Sequence, residues 1–143
     1  MQLHTWFAKG DLLMIYTTYF ANLKKLPKKV HPISICGKAP DWYDGLQYKK
    51  LAPKYDFFMK WKETGDNDYY IRRFDEQVLS KLDVHSVVEE LVGVLDINED
   101  IDIALVCYET PDKFCHRHLV ADWFNKAGYK CEEYGYGSVV IVK

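Results

Sequence analysis

Apolar and polar positions along the chain alternate between a strand-like and a helix-like period. Leu12-Leu13-Met14-Ile15-Tyr16 is a continuous apolar run of strand length, as suits a strand covered on both faces. Leu3 to Thr17 as a whole reads as two short strands about the turn-forming cluster Lys9-Gly10-Asp11. Thr17-Thr18-Tyr19 leads into a short helical piece, Phe20 to Leu26, which Pro27 ends. A second strand falls on Ile33-Ser34-Ile35-Cys36 and breaks at Gly37-Lys38-Ala39-Pro40. The pattern is weakest from Asp41 to Gly65, where Pro53 starts or breaks a helix and Phe57, Phe58 and Trp61 recur as a helix face would. Asp66-Asn67-Asp68 offers N-caps for a helix with Tyr70, Ile71, Phe74, Val78 and Leu82 on one stripe. The next helix carries Val84, Val87, Val88, Leu91, Val92 and Leu95, with Ser86 and Glu89 at capping-box spacing. Ile101 to Cys107 is the clearest strand, apolar after Asp102. Beyond the Tyr108 to Phe114 loop, Leu119, Val120, Trp123, Phe124 and Ala127 mark a helix that Gly128 caps. A short extended piece and a last strand, Val139 to Val142, complete the chain.

This alternation predicts an α/β fold. The sheet is expected to be mostly parallel, with about four to five strands, helices on both faces and antiparallel edge strands from the termini. With 143 residues and no repeat or linker, one domain over 1–143 is expected. A hydrophobic fraction of 48% excludes general disorder. No apolar run approaches the roughly 18 residues of a membrane span, and no signal-peptide layout opens the chain. Cys36, Cys107, Cys115 and Cys131 are widely spaced, as in reduced cytosolic thiols, so a cytoplasmic protein is expected. With 19 Lys+Arg against 21 Asp+Glu, the charge argues against a sequence-blind nucleic-acid binder but leaves room for a local basic pocket. Lys24, Lys25, Lys28 and Lys29 read best as a solvated helix end.

Ligands in open α/β sheets sit beyond the carboxyl ends of the strands. Three strand exits carry chemistry: Thr17, Thr18 and Tyr19; then Cys36, Gly37 and Lys38 with Trp42 close behind; then Cys107-Tyr108-Glu109, running on to Cys115-His116-Arg117. Parallel strands would bring all three to one rim. A thiol at a helix N-terminus beside an arginine favours thiolate, which makes Cys115 the candidate nucleophile with Cys107 opposite. Glu109 suits proton transfer, and Arg117 and His116 suit an anion. The plainer alternative is that Cys115 and His116 continue the apolar stripe of Leu119 and Val120 and that Cys107 is core. Arg117 and Glu109 then pair with each other, His118 lies at the surface and Cys131 is peripheral. Cys107, Cys115, His116 and His118 also have donors for zinc, though not at the usual ligand spacing, so no metal or cofactor is assigned. Trp42, Tyr43, Tyr48 and Tyr55 suit either a nucleobase or the core. No Gly-x-Gly-x-x-Gly, Walker loop, Gly-x-Ser-x-Gly or His-Glu-x-x-His motif is present.

The stretch Leu105 to Arg117, in which a hydrophobic strand ends in Cys-x-Glu and Cys-His-Arg opens the next helix, resembles the signature of the domain of unknown function 488 family. Tyr16 to Phe20 and Pro32 to Pro40 are similar to that family's first two strand exits. Tyr48-Lys49-Lys50-Leu51-Ala52-Pro53 looks like a shorter clostridial or phage-like branch. The resemblance runs from about Met14 to Tyr134, with residues 1–13 and 135–143 as additions. Many members read Asp-Val-Arg after the second strand, where this chain has Ile35-Cys36-Gly37-Lys38-Ala39-Pro40. The role of that Asp–Arg pair does not carry over, though Lys38 can replace the positive charge. The resemblance implies a fold and a site, not an activity.

The expected function is binding of a nucleotide-like or other anionic small molecule at the rim, with thiol-assisted chemistry by Cys115, Glu109 and Cys107. Arg117, His116, Thr17, Thr18, Tyr19, Lys38 and Trp42 are the candidate ligand contacts. Two alternatives stand beside it: a non-catalytic sequestering protein of phage type, and a metal or redox switch built on Cys107, Cys115 and His116. Whether a reaction is catalysed and whether the chain self-associates are left open by the sequence.

Overall fold

The computed structural model describes residues 13–95 and 102–137. The predicted hairpin about Lys9-Gly10-Asp11 and the last strand at Val139 to Val142 lie outside them. Among the described residues, five strands, β1 (Ile15–Tyr19), β2 (Val30–Ser34), β3 (Leu46–Gln47), β4 (Asp102–Cys107) and β5 (Cys131–Glu133), form one sheet in the order β3-β2-β4-β1-β5. Every pairing between strands is parallel. Four α-helices accompany them: α1 (Tyr55–Thr64), α2 (Asn67–Gln77), α3 (Val84–Leu95) and α4 (His116–Lys126).

β4 lies near the middle because its sequence can be buried on both faces. All six of its residues are buried, including Asp102 at its start. That carboxylate is satisfied locally: Oδ1 accepts from the Met14 N–H at 3.1 Å and Oδ2 pairs with Lys29 at 3.4 Å. The register places Ile15, Thr17 and Tyr19 opposite Ile103, Leu105 and Cys107, and Ile33 opposite Leu105. These residues share one face with Cys131 and Glu133 of β5, because side chains alternate along each strand. Side chains of α2 and α4 approach this face. The other face carries Thr18, Ser34, Ala104 and Val106. It receives the 3-10 helix Phe20–Lys25, from which Asn22 donates to Thr18 Oγ1 at 3.1 Å.

The second strand begins three residues earlier than the apolar pattern predicts, with Pro32 inside it. Residues 29, 31, 33 and 35 turn their peptide groups toward β4, as the bonds from Asp102 N–H to Lys29 O and from Ile35 N–H to Val106 O show. Pro32 faces the opposite side, where β3 pairs only with Ile33 and Ser34, so its missing N–H leaves no gap in the sheet.

Helix ends follow local chemistry. Gly65, at φ +68°, closes α1 by donating to Trp61 O at 2.7 Å. Asp66 caps α2 through the Tyr69 N–H at 3.0 Å, as its position predicts. The expected Ser86–Glu89 box is replaced: Asp83 Oδ2 accepts from the Ser86 N–H at 3.0 Å and from its hydroxyl at 3.1 Å. Ser86 sits inside the first turn, too late to cap it.

Candidate functional site

β2 hands the chain outward to β3, whereas β4 hands it across β1 to β5. The crevice between the ends of β2 and β4 is therefore a topological switch point, where ligands settle in open α/β sheets. A cleft of about 750 Å³ opens there. Cys36, Gly37 and Lys38 line it from the end of β2, and Cys107, Tyr108 and Glu109 from the end of β4. Cys115 and His116 reach it from the start of α4. Two of the three predicted strand exits thus converge.

The floor is a thiol–imidazole cluster. Cys107 Sγ lies 3.4 Å from Nδ1 and 3.6 Å from Nε2 of His116. Nε2 donates to the Ile35 carbonyl at 2.7 Å, and the Phe74 ring packs edge-on at 5.6 Å between centroids, so the imidazole has a fixed orientation. Cys36 Sγ donates to the Val106 carbonyl at 3.7 Å. All four cysteines of the chain are buried and unbridged.

Electrostatics divide the thiols. Burial pushes the Cys107 thiol well up, and its hydrogen bonds to Cys115 and Cys36 hold its proton further. Burial opposes ionisation of Cys115 too, but hydrogen bonds from Cys107 and His116, with the charges of His116 and Arg117, hold it well below the ordinary range. Cys115 is also the N-cap residue of α4, where unpaired peptide N–H groups favour an anion. Cys36 is lowered by its hydrogen bond from Cys107 against its own burial. His116 is raised: burial works against its charge, and the adjacent Cys115 outweighs it. The directions agree: the cluster favours negative charge on Cys115, positive charge on His116 and a retained proton on Cys107.

The walls are aromatic. Trp61, Tyr70 and Phe114 pack mutually, with centroids 5.4 Å apart for Trp61–Tyr70, 5.0 Å for Tyr70–Phe114 and 5.6 Å for Trp61–Phe114. Exposed Tyr55 and Lys62 of α1 flank the mouth. Pattern reasoning missed Lys62, Tyr70 and Phe114 as site residues. Tyr70 was readable only as a helix stripe, and Phe114 only as the last residue of a loop.

The remaining candidates are used elsewhere. Arg117 is fully buried and does not line the cleft. Its Nε and Nη2 donate to Glu133 Oε1 and Oε2 at 3.0 and 2.7 Å, a two-pronged ion pair that replaces the expected pairing with Glu109. Thr17 Oγ1 donates to the same Glu133 Oε1 at 2.6 Å, and the Arg117 guanidinium lies 5.8 Å from the centre of the Tyr19 ring. The first strand exit therefore serves the Arg117–Glu133 pair, with Thr18 turned to the other face. Glu133 itself was missed; its signal is an acid two residues after Cys131, on the inward side of a strand. Trp42 is 63% exposed and packs edge-to-face on Phe20 and Tyr43 outside the cleft. Of the other expected aromatics, Tyr48 is buried and hydrogen bonds to Glu90.

Two placements are corrected outright. His118 is buried rather than superficial, because α4 sinks its first five residues, His116 to Val120, into the core. Cys131 is likewise buried, clipped by Asn125, whose amide accepts from its N–H at 3.0 Å and donates to its carbonyl at 2.8 Å.

Among the described residues, no helix is long and apolar enough to cross a membrane. Neither a curated protein nor a solved structure matches the chain. A family model does match: DUF488-N3a, described as the active DUF488-N3 subclade, over residues 12–128. That span contains the strand ends, the Cys-x-Glu segment and the Cys-His-Arg helix start that build the cleft, and the chain belongs to the DUF488 family.

Proposed function

We propose that the cleft binds a nucleotide-like, anionic small molecule and acts on it through the Cys115 thiolate. The observation that carries this is the convergence of Cys115, His116 and Glu109 with Lys38 and Lys62 on one aromatic-walled cleft at the sheet's switch point. Aromatic faces suit a planar base, and the two lysines suit its anionic group. Cys115 Sγ bonds to an electrophilic carbon of the ligand while the leaving group departs with a proton from Glu109. Water then displaces the sulfur, Glu109 takes the water's proton, and the thiolate is restored. The description of the matching subclade as active favours turnover over passive sequestration.

The test is titration with a purine nucleoside monophosphate, its nucleoside and inorganic phosphate, followed by tryptophan fluorescence and by protection of Cys115 from alkylation. The monophosphate should bind more tightly than either fragment. Lys38→Glu should weaken it about tenfold, roughly 1.4 kcal/mol. Mass analysis of the recovered ligand should show change with wild-type protein and none with Cys115→Ala. A cleft that ignores all three probes, with Cys115 inert until unfolding, overturns the reading.

A further inference from the structure

The floor of the cleft holds more donors than one nucleophile requires. Cys107, Cys115 and His116 each present a ligand atom, and these three atoms lie within 4.8 Å of one another, all on buried residues. Donors around a tetrahedral zinc ion sit about 3.5–3.8 Å apart, given bonds of about 2.0–2.3 Å. The 3.4 Å from Cys107 Sγ to His116 Nδ1 is already close to such an edge. The imidazole also carries the support that metal-bound histidines have. Its Nε2–H is held by the Ile35 carbonyl at 2.7 Å, which leaves Nδ1 facing the thiols. Two sulfurs and one nitrogen suit a borderline-soft d10 cation and not magnesium or calcium, which take oxygen. Cys36, tied to the Val106 carbonyl, falls outside the trio.

The geometry points to a zinc site held by Cys107 Sγ, Cys115 Sγ and His116 Nδ1, with its fourth position opening on the cleft that these residues line. Binding releases to solvent the Cys107 thiol proton and any proton on His116 Nδ1, since both ligand atoms must be deprotonated. A sulfur bonded to zinc is not free to attack, so the metal-loaded and nucleophilic forms are alternative states of one floor. The site stands independently of the small-molecule reading, since either can hold without the other.

The deciding experiment adds zinc alone to reduced, chelator-stripped, full-length protein, removes unbound metal and counts what remains. One equivalent per chain is expected. It should remain in Cys36→Ser and weaken by more than about 100-fold in Cys115→Ser and His116→Ala, beyond the 10–100-fold typical of losing a supporting contact. Cobalt substituted into wild-type protein should show thiolate charge-transfer absorption and tetrahedral ligand-field bands, a readout that needs no variant to fold. Folded wild-type protein that retains no zinc overturns the site, as does retention unchanged in folded Cys115→Ser or a cobalt spectrum without thiolate bands. Ligand titrations in metal-free protein test the nucleotide reading separately.

Discussion

Arg117 and Glu133 are withdrawn from water together, so each charge depends on the other and on the Thr17 hydroxyl beside them. Removing one partner of such a pair strands the second in the core, which costs about 3–5 kcal/mol. Glu133→Gln should therefore lower the urea midpoint strongly at an unchanged slope, while the apolar pair Arg117→Met with Glu133→Leu should recover much of the loss. A loss under about 1 kcal/mol in the single variant would show the pair to be dispensable. The sequence makes Arg117 legible as an anion partner but not which anion it holds. Its carboxylate lies on a three-residue strand whose inward side cannot be assigned without knowing where β1 runs. Cys107, Glu109, Cys115 and His116 were legible because each sits within a residue or two of an element boundary that the apolar pattern marks.

At the scale of elements, apolar periodicity reported existence well and ends poorly. The apolar stripe places α3 from Val84 to Leu95, where it is found, yet its cap is Asp83, because the hydroxyl of Ser86 already lies within the first turn. Hydrogen bonds from the Ser86 N–H and hydroxyl hold the Asp83 carboxyl below its usual range. A carboxylate depressed in the folded state stabilises above its unfolded value and loses that contribution as pH falls through the folded one. The stability gap between wild type and Asp83→Asn should accordingly narrow on acidification, as followed by unfolding midpoints across pH; a gap constant with pH would assign the cap another origin. β3 went unread because two residues carry no period, and its partners are set by a strand distant in sequence. The surface placement of His118 fails for a related reason: a stripe argument keeps half of a helix wet, whereas the first turn of α4 is buried all round.

In the molecule as a whole, strands distant in sequence lie side by side. β1 is flanked by β4 and by β5, with Thr17 and Glu133 side by side though 116 residues apart in sequence. Such pairings carry a loop-closure cost before any contact is gained, so folding should be slow for a chain of this size. A chain ending at residue 128 keeps the cleft residues but lacks β5 and Glu133, leaving Arg117 unpaired and one edge of β1 open. It should be recovered mainly in aggregates, and a soluble, cooperatively unfolding product would refute the dependence. The parallel sheet itself was legible, since only strands covered on both faces tolerate runs such as Ile103 to Val106. The same arrangement has a consequence during synthesis. β1 leaves the ribosome before both its partners: the strand for one of its edges follows more than 80 residues later, at Asp102, and that for the other at Cys131. At a synthesis rate of about 5–20 residues per second, β1 waits several seconds with both edges bare, open to a neighbouring nascent chain or a chaperone.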